Sequence, residues 1–382
     1  MNTCNINIRK VASRKEIKDF ARFANRLYRD CPQYVPEMES EIKSSLHSPT
    51  EEAETQAFMA YRDGKPVGRV LAINSQKANK KWNIRAVRFS MLDFIDDPAV
   101  SEALLHTVEE WGAKRGLDTI QGPLGLTDFD KEGMLVEDFN LMGTMSTLYN
   151  YSYYPVHMDR LGFTKAADWL QLRATLPDKL PERYLKTAKL TSQLFHLKLN
   201  ILSRREILHQ GWGYKVFQLF NTAYAPLFGF TNISEAQTRD FISKYLPLTD
   251  PRMVPVVTNE KGEVVCAAVA MGSLSNAMRR AHGRMLPFGW FHLLKALKFK
   301  YEDLAELLLI GVRPDYQGSG VSSLVFTHLY STLRQLGFKI AETGPQLETN
   351  TKELSQWKYL DAKYVKRRRC YTKAISTTAN EN

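Results

Sequence analysis

A strand-like run, AELLLIGV (305–312), leads into RPDYQGSGVSS (313–323) and then into the helical pattern SLVFTHLYSTLRQL. A strand, a small-residue loop and a helix start together make an anion cradle, because unpaired first-turn N–H groups and the helix dipole point at whatever sits there. Gly318 and Gly320 remove Cβ atoms that would hold a diphosphate away from the backbone. The spacing differs from G-x-G-x-x-G and from the Walker loop, which argues against NAD and ATP. Carboxylates able to take up a proton flank the loop: Glu306 on the strand before it, and Glu342 and Glu348 beyond it. A second polar cluster lies at 124–155, where Asp128, Asp130, Glu132, Glu137 and Asp138 precede Tyr149, Asn150, Tyr151, Tyr153 and Tyr154. Carboxylates beside aromatic rings suit an ammonium-bearing ligand, which makes Asp128, Asp130, Glu132, Tyr153 and Tyr154 candidate substrate contacts. The plain alternatives are an ordinary turn and cap at 313–323, and a solvated loop with aromatic packing at 124–155.

The elements that position these residues occur twice. SRKEI (13–17) returns as SRREI (203–207), each opening a helix after an alternating, strand-like run. A hairpin follows in each copy, at 57–74 around Asp63-Gly64 and at 254–271 around Lys261-Gly262, with turn residues that accept positive φ. Next come a helix, a helix-stopping Gly and a strand ending in Gly-Pro, at 111–123 and 333–345. A short helix and a β-hairpin close each copy, at 153–175 and 354–373. The offset between copies drifts, so the second copy carries extra residues around 276–300 and the first around 124–150. The expected division is a first domain over 1–180 and a second over 190–382, with the boundary in the proline-interrupted stretch 176–190. The first copy lacks the cradle. IDDPAVSE (95–102) stands in its place, where Asp96 and Asp97 would repel a diphosphate and Pro98 removes an amide donor. Alternatively Asp97 caps the helix, with Pro98 in its first turn.

RPDYQGSGVSS resembles the pyrophosphate motif of the Gcn5-related N-acetyltransferase (GNAT) superfamily, (R/Q)-x-x-G-x-(G/A), with Gln317, Gly320 and Ser322 at the motif positions. The resemblance implies an α/β fold of two tandem GNAT domains, each a mixed, mostly antiparallel twisted sheet flanked by helices, the first of them degenerate. It implies an enzyme, an N-acyltransferase moving an acyl group from acyl-CoA to a primary amine, with CoA as co-substrate and no metal. Amides of Gln317, Gly318, Ser319, Gly320, Val321, Ser322 and Ser323 would bind the CoA pyrophosphate. Backbone at Ile310 and Val312 would pair with pantetheine, joined by Asn350. Glu306, Glu342 and Glu348 become candidate bases. The family's proton donor is a Tyr seven residues after an Asn like Asn350; here that position is Trp357, and Tyr359 is the candidate substitute. GPLGLTDFDKEGMLVEDF with YNYSYYPVHMDRLGF is also similar to bacterial tandem GNATs that include ceramide-synthase-like proteins, which N-acylate a sphingoid base. Fem-like tRNA-dependent aminoacyltransferases are tandem GNATs too but do not need this motif. A non-catalytic membrane- or nucleic-acid-binding protein is a further alternative, favoured by Trp357.

Composition sets the partners. The 382 residues carry a net charge of +11. Residues 1–180 hold 24 Lys+Arg against 25 Asp+Glu, and residues 181–382 hold 28 against 16. The excess in the second half points to an anionic partner there. Phe288, Trp290, Phe291, Leu293, Leu294, Leu297 and Phe299 alternate with Arg279, Arg280, Arg284, Lys295, Lys298 and Lys300, a basic aromatic pattern suited to an anionic membrane or a long acyl chain. The cradle makes nucleic acid the weaker choice. Cys4, Cys31, Cys266 and Cys370 have neither disulfide nor zinc spacing, and the eight histidines show no metal spacing. With no signal-like segment and no 18-residue apolar run, the expected location is the cytoplasm, with peripheral contact at the inner face of the membrane.

Overall fold

The computed structural model describes residues 6–46, 53–298 and 302–376, which fall into two compact units. The first unit takes the described residues of Met1–Trp169, Ser275–Leu293 and Lys366–Asn382; the second takes Leu170–Leu274 and Leu294–Val365. The units are therefore not the consecutive stretches 1–180 and 190–382. Strand pairing is the cause, since the chain's last strand hydrogen-bonds within the first unit and the end of the strand at 164–175 hydrogen-bonds within the second.

In the first unit β1 (Asn7–Lys10), β2 (Ala53–Arg62), β3 (Lys65–Ser75) and β4 (Ala86–Phe94) pair antiparallel in order, and β5 (Thr119–Gly122) joins β4 in parallel. The β2–β3 turn has positive φ at both Asp63 and Gly64, the geometry that matches strand twist in a two-residue hairpin. The last strand, Lys363–Ala374, pairs antiparallel with β5 from Tyr371 to Ala374, and with β6 (Met134–Glu137) from Arg367 to Arg369. Helix Pro98–Ala113 lays Val100, Leu104, Leu105, Val108 and Trp111 on the sheet, against Val87, Phe89 and Phe94.

A fully buried arginine ties this core together. Arg69 on β3 donates to Asp93 Oδ2 at 2.7 Å, to Glu37 Oε2 at 2.5 Å and to the Phe20 carbonyl at 2.9 Å. The Tyr28 hydroxyl lies 3.0 Å from Asp93 and 2.6 Å from the Tyr154 hydroxyl, so the network reaches the helix Tyr153–Arg160. Burial alone would neutralise Glu37; Arg69 overrides it and holds this carboxyl below the ordinary range.

In the second unit residues of β7 (Thr164–Thr175) pair with β12 through Arg173, Ala174 and Thr175. The order continues β12 (Ile340–Thr343), β11 (Leu304–Val312), β10 (Val264–Gly272), β9 (Pro255–Thr258), β8 (Lys198–Ile201). Only β11–β12 is parallel among these pairs. Helix Ser322–Gln335 packs Val325, Leu329 and Leu333 over Cys266, Ala268 and Ala270, where small side chains on β10 let the helix approach. The recurring SR(K/R)EI element forms two capping boxes, Ser13 with Glu16 and Ser203 with Glu206, each satisfying two helix-start donors. Among the described residues no helix is long and apolar enough to cross a membrane.

Replacing Arg69 with Leu would strand Asp93 and Glu37 in the core. Urea unfolding followed by circular dichroism should show a loss of about 3–5 kcal/mol for this variant.

Candidate functional site

The parallel β11–β12 pairing runs from Leu304 to Leu307 and ends with the Gly344 N–H on the Leu307 carbonyl at 2.8 Å. Beyond that point the strands part. On its other side β11 pairs Leu307 with Ala270 but Leu309 with Val269, so Leu308 is an extra residue and forms a bulge. A bulge disrupts the ladder and turns main-chain groups out of it. Ile310 and Val312 follow on the splayed edge, and their backbone groups meet side chains rather than a strand. The Tyr224 hydroxyl donates to the Ile310 carbonyl at 2.8 Å and accepts from its N–H at 3.2 Å. The Gln317 amide reaches the Val312 carbonyl at 3.3 Å. Such partners can rotate away, which leaves the edge open to exchange with a strand-like ligand.

The loop after β11 is the one read from sequence as an anion cradle. The amides of Gly318, Gly320 and Ser322 meet no acceptor among the described residues, whereas those of Gln317, Ser319, Val321 and Ser323 are bonded inside the loop. Of the seven residues expected from sequence, these three have their amides open in this structure. At one of the two glycines the structure adds a packing reason to the one expected. Gly318 and Gly320 have φ of +82° and +86°, and a Cβ on Gly320 would come 2.7 Å from Thr187 and 3.1 Å from Thr191, while one on Gly318 would meet nothing. Gly320 thus serves the close approach of helix Glu182–Leu194, which was not foreseen and whose Thr191 hydroxyl donates to the Ser319 carbonyl at 3.1 Å. Arg313 is engaged by Asp315 at 2.7 Å and Glu263 at 3.0 Å, leaving anion binding to the main chain.

The candidate carboxylates separate by environment. Glu306 and Glu342 are register partners on β11 and β12, 1% and 0% exposed. Arg173 grips Glu342 with two nitrogens, the Nε contact at 2.9 Å, which fixes Glu342 as an ion-pair partner. Glu348 lies half-buried beyond the short strand Gln346–Leu347. Asn350 caps helix Thr351–Gln356, its side chain accepting from the Glu353 N–H. Trp357 is 4% exposed and set edge-on to Phe326 at 5.3 Å, so it holds its place by packing. The side chain of Tyr359 lies outside the described residues.

One residue missed from sequence stands out beside Trp357. Glu353 is half-buried, with its Oε1 sealed from water and unpartnered and its Oε2 accepting from Gln356 at 2.5 Å. Burial pushes its carboxyl up to about 7, against a slight lowering by Gln356. Gln356 Oε1 and Trp357 Nε1 are likewise buried without hydrogen-bond partners. Buried orphan groups are rare in folded proteins, and a donor with two acceptors along one helix turn suits an amide-bearing chain such as pantetheine. With the open amides of the cradle, the residues present fit CoA. The sequence signal for Glu353 was its spacing, three residues after a helix cap and four before Trp357, on one helix face. Tyr224 had no local signal.

Among the described residues of the first unit, the corresponding helix start has no glycine-rich loop before it. Asp97 caps helix Pro98–Ala113 by accepting from Ala99 N–H at 2.9 Å, and Asp96 pairs with His157 at 3.0 Å, so the capping alternative is the one realised. Asp128, Asp130 and Glu132 do converge. Burial, opposed by Arg88 and Lys81 and reinforced by Asp130, pushes Asp128 up to about 6, and burial with the Asp128 charge raises Glu132 well above its ordinary value. Tyr154 is 1% exposed, stacked on Phe94, and receives the Phe94 N–H at 3.0 Å. Tyr153 donates to the Phe94 carbonyl at 2.5 Å. These two tyrosines pack around Phe94.

No family model matches the chain. It is 29% identical to "Protein YghO" of Escherichia coli (strain K12) across 96% of this chain and 95% of that protein. It is 27% identical to "Bacterial ceramide synthase" of Caulobacter vibrioides (strain NA1000 / CB15N), across 97% and 98%. A solved tandem GNAT protein from the clavulanic acid biosynthesis pathway superposes with a TM-score of 0.57 at 12% identity, covering 97% of this chain and 99% of that one. A GCN5-related N-acetyltransferase from Sphaerobacter thermophilus does so with 0.53 at 10% identity, covering 97% and 96%.

Two stability measurements check this geometry. Gly320→Ala should lower the melting temperature more than Gly318→Ala, because both lose a glycine at positive φ, about 1–2 kcal/mol each, and only the first also meets Thr187. Glu353, with a carboxyl near 7 when folded against 4.5 ordinarily, stabilises the fold fully below pH 4.5 and loses that contribution as pH rises through 7. Glu353→Gln should therefore gain on the wild type by about 2 kcal/mol between pH 5 and pH 8, read as paired denaturation curves. The chain thus has the fold of solved tandem GNAT proteins.

Proposed function

We propose that the protein is a CoA-dependent N-acyltransferase that moves an acyl group from acyl-CoA to a primary amine, and that the acceptor is a long-chain, sphingoid-base-like lipid amine. The observation that carries the reading is the set of open amides at Gly318, Gly320 and Ser322 beside the splayed edge of β11. A diphosphate suits the first, and an extended amide chain suits the second. N-acylation then needs a neutral amine, a polarised thioester carbonyl and a proton for the leaving thiolate. Glu306, buried on β11 just before the bulge, is the group we assign to take the proton from the amine. Its neighbour Glu342 is committed to Arg173. The bulge at Leu308 supplies main-chain groups for the carbonyl oxygen.

Two observations support the lipid acceptor. One relative spanning nearly the whole chain bears the name bacterial ceramide synthase. In addition Leu286 and Phe288, 76% and 71% exposed, stand with Met285, Trp290 and Phe291 among Arg279, Arg280 and Arg284. Exposed apolar side chains set among cations match an anionic membrane surface, where such an acceptor resides. Phe299 and Lys300 of this segment lie outside the described residues.

Saturating CoA or palmitoyl-CoA should raise the melting temperature by a few degrees. Palmitoyl-CoA with a long-chain primary amine should release free thiol, counted with a chromogenic disulfide. Stabilisation by tRNA alone would overturn the assignment in favour of aminoacyl transfer.

A further inference from the structure

We propose that Glu353 is the acid that delivers a proton to the departing CoA thiolate, in place of the tyrosine that Trp357 displaces. The assignment rests on the acyltransferase reading above and adds the residue that completes it. Glu353 and Trp357 are four residues apart on the run Thr351–Tyr359, so their side chains share one face one turn apart. Trp357 is packed on Phe326, and Leu307 and Ile310 of the splayed strand border the same cluster. That face is thus turned to the edge where a strand-like ligand would lie. An indole N–H cannot release a proton to a thiolate, and among the groups on this face Glu353 can.

Its surroundings suit an acid. Oε1 is sealed from water without a partner, Oε2 is held by the Gln356 amide, and no cation pairs with the carboxyl among the described residues. The titratable group that feels its charge is Cys266 on β10, whose thiol is raised by burial first and by the Glu353 charge second. Neither neighbour stabilises the carboxylate as an ion pair would, and a carboxyl near 7 is substantially protonated at neutral pH.

The proton count closes. The amine nitrogen donates its lone pair to the thioester carbonyl carbon and the C–S bond breaks, its electron pair leaving on sulfur. Nitrogen gives one proton to Glu306, sulfur takes one from Glu353, and exchange with water restores both carboxyl groups. The products are an amide and free CoA, with no oxidant or metal required.

Calorimetric titration of the full-length protein with CoA at pH 7, in buffers of different ionisation heat, tests the assignment without relying on turnover. Seating a ligand beside Glu353 removes more water from it, so binding to the wild type should take up a fraction of a proton. Glu353→Gln should bind CoA within a few-fold of wild type and lose the uptake. Glu353→Asp, which keeps the acid and controls for folding, should retain it. With palmitoyl-CoA and dodecylamine as probes, wild-type kcat should fall above pH 7, and the Gln variant should lose about a hundredfold in kcat at unchanged KM. Uptake that persists in the Gln variant overturns the acid role, as does CoA binding that disappears from a folded Gln variant. If the wild type binds no CoA at all, the acyltransferase reading itself falls.

Discussion

Main-chain polar groups inside a protein must find partners, and the second unit is organised around a strand that runs out of them. β11 loses β12 after Leu307, kinks at Leu308, and continues with one edge served only by the Tyr224 hydroxyl and the Gln317 amide. The same strand then turns into a helix start with three open amides. A single discontinuity in one ladder thus leaves main-chain groups open at two adjoining places, which the proposed function gives to an extended amide and a diphosphate. Folding tolerates the discontinuity because the unmet groups are met locally by side chains, at little cost when a ligand replaces them.

The two units spend polarity in opposite ways. In the first, Arg69, Asp93, Glu37, Tyr28 and Tyr154 bond one another within the core, with the Phe20 carbonyl and the Phe94 N–H as further partners, and Asp97 caps its own helix start. In the second, Glu353, Gln356 and Trp357 leave buried atoms without partners at the corresponding stage of the fold. A closed network contributes rigidity, while an incomplete one costs stability until something completes it. The capping boxes recur in both units, so the contrast between them lies in the polar groups of the core and not in the local signals that start their helices.

Local chemistry was legible in the sequence where a residue acts on its near neighbours. Ser13 with Glu16, Ser203 with Glu206, Asp63 with Gly64, and the Gly-rich start of helix Ser322–Gln335 could all be placed because the physics spans a few residues. Whatever depends on distant packing was hidden. The packing of Tyr154 against Phe94 and Tyr28, and the approach of Thr187 to Gly320 from another helix, both join residues far apart in the chain. Glu353 lay in plain view, yet its character comes from burial, which no spacing reveals.

The composition of the units has a consequence for how the gene can be handled. Residues 366–374 complete β5 and β6 of the first unit, and residues 173–175 complete β12 of the second. Each sequence half therefore owns a segment that the other unit's sheet requires. A stop codon or a fusion junction placed near residue 180 would release two fragments, each with a bare strand edge and an unmatched tail. Such fragments invite aggregation when made alone and complementation when made together.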